Sequence, residues 1–509
     1  MKTSKGTMDN VKSSPSPARW FRVLKRTVSG DCQQKKFVTP SLCEDALRKC
    51  REAFSSGKTR PCSFRSLQLE AILNMLDKHE EEFIGALEQD MHRPRFETIL
   101  SEINSVKNEA LYALNNLEKW TQPVPGQKSM SNLLDSCFIQ MEPVGVVLII
   151  SGWSFPIQLS LIPLVGAVAA GNCVVLQPSG TCTHAANLLQ RLIPLYLDNS
   201  CYHVACGGQN ELMKLLENKF DHILYTGDRL TGRAVMLAAA KYITPVSLVL
   251  GGKNPCYVDN SCDINMAARR IAWARFVNAG QSSLAPDYIL CQPEIRDTLI
   301  HELSICVEEF YGKNPRESSN YGRLASVELY LQVKDLLSCG QVAFGGETDD
   351  SERYIAPTVL TDVKEADPIM QTEILGPVLP ILTVENLDEA IQMINRKDRP
   401  LAVYVYSESE RVISDILCRT SSGSFCSNDS MIQSIYTSMP CGIIGNSGIG
   451  IYRGKHCFEA FSQSRACLLR NTAVECVTYL RYPPYAEKPL RLLLWACSIS
   501  RKKSLCHIL

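Results

Sequence analysis

Residues 143–190 of this 509-residue chain contain no Asp, Glu, Lys or Arg. A run of that length reads on hydropathy as a membrane span. Repeated interruption by Pro, Gly, Asn and Ser favours instead strands buried on both faces and alternating with helices, because such strands read as continuous apolar segments. Val144-Gly-Val-Val-Leu-Ile-Ile predicts a buried strand, Ser151 to Pro156 a polar turn, the stretch ending at Ala170 a helix, and Cys173 to Leu176 a second strand. The pattern recurs at His222-Ile-Leu-Tyr before Thr226-Gly-Asp, at a helix near Gly232 to Lys241, and at Val246-Ser-Leu-Val-Leu before Gly251-Gly. The expected fold class is α/β, with a doubly wound sheet whose strand ends carry a ligand. A second α/β unit is expected from Gly251 to about Lys455.

The balance of charge narrows the function classes. Lys plus Arg (53) equals Asp plus Glu (53), so no global field draws the chain to nucleic acid. The 22 Cys are scattered, no C-x-x-C occurs and no secretory signal precedes them, which reads as reduced cytosolic thiols. Residues 1–43 form a basic, Ser-rich arm with nine Lys/Arg against two acids, which reads first as a plain disordered tail, with Ala18-Arg-Trp-Phe-Arg-Val-Leu-Lys as a surface helix or a transit-like segment the alternatives. From Glu44 to about Trp120 the spacing of Leu67, Leu69, Ala71, Ile72, Met75 and Leu76 predicts core-facing helices without chemistry of their own.

Six strings then occur in order: Asn172-Cys-Val-Val-Leu-Gln-Pro-Ser, Thr226-Gly-Asp, Leu250-Gly-Gly-Lys-Asn-Pro, Asn278-Ala-Gly-Gln-Ser-Ser, Glu373-Ile-Leu-Gly-Pro and Ser447-Gly-Ile-Gly. Together they resemble the aldehyde dehydrogenase superfamily over about residues 44–485, with Arg481-Tyr-Pro-Pro and the string after Asn278 pointing to class 3, B type. The resemblance implies a Rossmann-type cofactor domain (44–129 and 142–250), a catalytic domain (251–455), a small bridging sheet for dimerisation (130–141 and 456–474) and a tail (475–509). It also implies NAD or NADP as cofactor and medium- or long-chain lipid aldehydes as substrates, oxidised to acids.

That chemistry needs a thiolate nucleophile, a general base and an oxyanion donor. At the positions the resemblance assigns to them stand Ser283, preceded by Ser282, then Val249 and Ser154. A Ser hydroxyl is barely ionised at neutral pH, Val moves no proton, and the Ser hydroxyl is shorter than the family's Asn amide. The cofactor positions are also altered. Gln177 and Gly180 stand where the family has Lys and Glu for the adenine ribose. Gly227 and Gly232 keep the spacing of a pyrophosphate-binding helix start, with Asp228 replacing Ser between them. Glu373 matches the contact to the nicotinamide ribose, beside Leu375 in place of Phe.

The reading is a homologue deficient in dehydrogenase chemistry that binds the dinucleotide weakly. The alternatives are an active or residual NAD(P)-dependent dehydrogenase, or an esterase using Ser283; transfer of the nucleophile to Cys256, Cys426 or Cys441 is a further possibility. Gly251, Gly252, Gly280, Pro377, Gly445, Ser447, Gly448 and Gly450 are explained equally well by backbone geometry. Cys506-His-Ile-Leu closes the chain as a geranylgeranylation-type box, after Arg501-Lys-Lys, the acylatable Cys497 and the apolar, basic Pro489-Leu-Arg-Leu-Leu-Leu-Trp. Expected partners are a second copy or a related aldehyde dehydrogenase, and the cytoplasmic face of a membrane or lipid droplet, with no nucleic acid.

Overall fold

The computed structural model describes residues 40–127, 135–470 and 475–498, without the side chains of 40–43, 476 and 477. The basic arm up to residue 39, residues 130–134 and 471–474 of the expected bridging strands, and Arg501, Lys502, Lys503 and Cys506 lie outside the described residues.

The uncharged run folds as strand, helix and strand: β1 (Val146–Ile150), α1 (Pro156–Ala170) and β2 (Cys173–Gln177). Every residue of both strands is buried, and so is nearly all of α1, Pro163 included. Helices Cys62–Lys78 and Asn104–Thr121 cover α1, which is why it needs no polar face. Among the described residues no helix is long and apolar enough to cross a membrane.

The chain continues through α2 (Thr183–Tyr196), β3 (Tyr202–Val204), β4 (His222–Thr226), α3 (Arg229–Ala240) and β5 (Val246–Val249). The strands pair in parallel in the order β5-β4-β1-β2-β3, so strand order reverses between β1 and β4, and the loops leaving their carboxyl ends face a common crevice. Helix α3 begins at Arg229, three residues before the predicted start, because the Asp228 carboxylate accepts the Thr231 N–H at 2.9 Å and caps it.

The second α/β unit contains β6 (Pro255–Val258), α4 (Ile264–Phe276), β7 (Tyr288–Cys291), β8 (Gln341–Phe344), β9 (Thr358–Thr361), β10 (Val378–Thr383), β11 (Ala402–Tyr406) and β12 (Ser424–Ser427). Its sheet runs β8-β9-β10-β7-β6-β11-β12, parallel except for the β8 edge. Strand β13 (Gly448–Ile449) crosses back and pairs antiparallel with β5, so the second half of the chain closes the edge of the first sheet.

A separate three-stranded antiparallel sheet joins Val124–Pro125, Ser136–Pro143 and Ser462–Leu469. Its longest pairing sets Ser136 opposite Leu469 and Pro143 opposite Ser462. Residues 456–460, expected as strand, belong to helix Gly454–Ala460.

Two readings of the N-terminal helices need correction. Leu67 is 61% exposed, so the apolar stripe of Cys62–Lys78 runs through Leu69, Ile72, Met75 and Leu76 instead. Nor are these helices inert, for the segment around Arg93 and the helix Asn104–Thr121 reach the functional site.

Backbones approach closely where the Asn278 motif meets the Glu373 motif. Asn278, Ala279 and Gly280 all have positive φ, and a Cβ at Gly280 (φ +74°) would run into the Gly376 carbonyl. Gly280→Ala should therefore combine left-handed strain with a backbone clash and cost about 2 kcal/mol or more, read as a fall in denaturation midpoint.

Candidate functional site

The loop carrying Ser282 and Ser283 lies between the turn Val277–Gly280 and β7. Four side chains fix its shape. Asn254, 1% exposed, donates to the carbonyls of Ser283 (2.7 Å) and Ala285 (3.0 Å) and accepts the Ala402 N–H (2.9 Å). Gln281 accepts the Ala325 N–H at 2.8 Å and donates to the Asn278 and Arg323 carbonyls. Asp287 pairs with both Lys253 (2.7 Å) and Arg275 (3.0 Å).

The fourth is Asn278, whose amide donates to the Ser154 carbonyl at 2.9 Å and accepts from Arg93 Nε at 3.0 Å. Arg93 is buried, ion-paired with the buried Glu102, and stacked over the Phe155 ring. Glu97 receives the Asn278 backbone N–H at 2.9 Å, and burial pushes its carboxyl up to about 7. Arg93, Glu97 and Glu102 carry no local motif, and sequence reasoning missed them.

Ser283, Ser282, Ser154 and Val249 share one cavity of about 140 Å³. Phe155, Leu159, Trp273, Val277, Leu284 and Met431 give it apolar walls, and Asn104, Ser105 and Asn108 line it from the helix Asn104–Thr121. Among the described residues no Asp, Glu, His or Lys lines it. The Ser283 and Ser154 hydroxyls make no hydrogen bond to another described residue, so neither is oriented by a base.

The thiols do not supply a substitute. Cys256 is fully buried and pushed well above its usual range by desolvation. Cys426 is raised to about 11 by burial and then by Asp429. Cys441 does line the cavity, yet burial raises it too, against the opposing pull of Arg453. All three stay protonated near neutral pH and so lack the nucleophilic form.

A second, larger cleft of about 800 Å³ opens between the α3 start and the Glu373 segment. Of the expected cofactor residues it brings together Asp228, Glu373 and Leu375. Gly227 and Gly232 sit at the same helix start, with Gly232 buried where a Cβ would meet Leu250. Gln177 is buried at the end of β2 with its amide oxygen unpartnered, and Gly180 is exposed; neither lines this cleft.

The helix terminus at this cleft already holds a carboxylate, and Asp228 spends the Thr231 N–H that an anion would use. A Cβ at Gly180 would stand 3.1 Å from the Gly207 carbonyl, so a longer side chain there requires that loop to give way. Arg229 pairs with Asp398 (3.0 Å) and Arg396 with Glu365 (3.0 Å), so these cleft cations are already partnered.

Glu373 packs its carboxylate against the bare Cα of Gly251, one oxygen unpartnered, and burial followed by repulsion from Asp287 pushes it up to about 8. A carboxyl raised in the folded state favours folding while protonated, and that contribution disappears as pH climbs from its ordinary value through about 8. The thermal midpoint should therefore fall between pH 6 and pH 9, and Glu373→Gln should flatten the fall and raise the midpoint at pH 9, measured by melting across that range.

With this geometry in view, comparison with known proteins places the chain. The model of the aldehyde dehydrogenase family matches residues 21–467. Mouse "Aldehyde dehydrogenase family 3 member B1" is 49% identical over 453 residues, covering 89% of this chain and 97% of that protein. The dog protein named "Aldehyde dehydrogenase, dimeric NADP-preferring" is 45% identical over 451 residues, 89% of this chain and 100% of its own. The solved "Substrate bound state of Staphylococcus Aureus AldH" superposes with a TM-score of 0.86 at 35% identity, covering 89% of this chain and 99% of that one. The strand orders, the βαβ crevice and the relatives agree: this chain belongs to the aldehyde dehydrogenase family, in its class 3 branch.

Proposed function

We propose that this chain is a class 3 aldehyde dehydrogenase homologue that has lost the family's NAD(P)-dependent oxidation of lipid aldehydes while keeping its scaffold. One observation carries the reading: among the described residues, the cavity shared by Ser283, Val249 and Ser154 has no proton-transferring carboxylate, imidazole or amine on its walls. A hydroxyl there has no base to activate it, a hemithioacetal has no thiol at the Ser283 position to form on, and the Val249 side chain offers neither a proton nor a lone pair. The same absence argues against an esterase built on Ser283. NAD(P) binding is weak in this reading, because Asp228 sets a negative charge at the one helix start built for phosphate.

Loss of a general base costs about 10²–10⁴-fold and of an oxyanion donor about 10²–10³-fold. Purified protein with NAD or NADP and a long-chain aldehyde should therefore show no NADH or NADPH formation above background. Ser283→Cys combined with Val249→Glu and Ser154→Asn should recover more turnover than Ser283→Cys alone. Robust turnover by the unchanged protein would overturn the proposal.

The second half of the proposal concerns where the protein works. We propose a dimer, with itself or with an active relative, held on the cytoplasmic face of a membrane or lipid surface through a prenyl group on Cys506. The three-stranded sheet leaves Ile139, Leu468 and Leu469 exposed, as a sheet that pairs with another subunit requires. Helix Glu487–Cys497 also supports the reading. It buries none of its residues, exposes Leu490, Leu492, Leu494 and Trp495, and carries the basic Lys488 and Arg491 among them. One lipid chain binds reversibly, and each nearby Lys or Arg adds about 1 kcal/mol on an anionic surface. Cys506→Ser should shift the protein to the soluble fraction and remove the added mass from the C-terminal peptide, whereas Ser283→Cys should leave fractionation unchanged.

A further inference from the structure

Arg453 lines the wall of the Ser283 cavity and is 5% exposed. Long cationic side chains are almost never buried to that extent without a partner, because losing hydration has to be offset by an opposite charge or hydrogen bonds. Every other strongly buried arginine here has one: Arg65 donates to two carbonyls, Arg93 pairs with Glu102, Arg275 with Asp287 and Arg323 with Glu352. The Arg453 side chain makes no ion pair and no hydrogen bond among the described residues. Its nitrogens are not sealed off, so the guanidinium keeps some accessible surface in a residue that lines the cavity.

The neighbouring Glu109 carboxyl is raised by burial and drawn back down by the Arg453 charge, yet the two form no close ion pair. Glu109 gives one oxygen to the Gly454 N–H and leaves the other unpartnered, without pairing with Arg453. The backbone adds an independent sign. Arg453 holds φ 90°, ψ 142°, a conformation that side-chain-bearing residues rarely adopt and that persists at functional sites. The fold thus accepts both strain and a buried cation without an ion pair or hydrogen bond among the described residues, at one residue lining one cavity.

We infer that the Ser283 cavity is a binding site for a monocarboxylate with an apolar tail, its carboxylate paired with the Arg453 guanidinium and its tail against the Phe155, Leu159, Trp273 and Val277 walls. The inference rests on the proposed loss of turnover, since a carboxylate held here is bound and released rather than made. A planar guanidinium forms paired, charge-assisted bonds to a carboxylate, which a neutral head group cannot match. A cavity of about 140 Å³ is close to the engineered cavity of about 150 Å³ that accepts benzene, so the enclosed part of the tail is about six to eight carbons.

Calorimetric titration of the full-length protein with sodium octanoate and with 1-octanol tests this. Octanoate should bind about tenfold or more tightly than octanol. Arg453→Met should abolish that preference while leaving octanol affinity within about twofold, and Arg453→Lys should keep part of it. Octanol binding and a cooperative melt show that the Met variant is folded; should it fail either, the wild-type preference and the Lys variant decide. Equal affinity of the wild type for acid and alcohol, undiminished octanoate binding by folded Arg453→Met, or binding of neither ligand would overturn the inference. NADH or NADPH formation from octanal is read separately: turnover would defeat the proposed loss of catalysis, whereas failure to bind octanoate without turnover would defeat only the carboxylate site.

Discussion

The buried Arg93–Glu102 pair is the interaction on which the rest of the site depends. Arg93 touches the Ser154 carbonyl from the loop after β1, the Phe155 ring and the Asn278 amide, so one side chain joins the turn after the first strand to the loop that carries Ser283. Glu102 answers it and also accepts the Gln158 N–H at the start of α1. Desolvating two charges is expensive, and such a pair is often no better for stability than apolar packing; removing one member, however, strands the other and costs about 3–5 kcal/mol. The pair therefore acts as a geometric lock. While it holds, the turn bearing Ser154 stays against the loop bearing Ser283, whatever chemistry their side chains provide.

Much of the architecture could be read from the chain because its determinants are local. An uncharged apolar run punctuated by Pro and Gly has few ways to be satisfied, and the strand, helix and strand expected there were found within a residue or two. The α3 start was misjudged because a capping carboxylate outweighs a glycine three positions on, and Leu67 because a helical stripe needs burial from outside to tell core from edge. Ser283, Val249 and Ser154, taken from three separate motifs, line one cavity.

What remained hidden is what folding assembles from distant segments. Arg93 and Asn278 are 185 residues apart, and Glu109 and Gly454 are 345 apart. No window of sequence contains either pair. Arg453 is the sharpest case: in the sequence it is one arginine among many, and only burial without a partner sets it apart.

The cap on α3 has a consequence for how such a protein drifts. Serine and aspartate stabilise a helix start to a similar degree, so a chain with Ser in place of Asp228 would fold nearly as well while presenting a different electrostatic character to an incoming anion. Selection for a folded, long-lived chain is blind to that exchange. Scaffold and chemistry are written at this position in separate energetic alphabets, and a lineage can erase one without leaving a mark on the other.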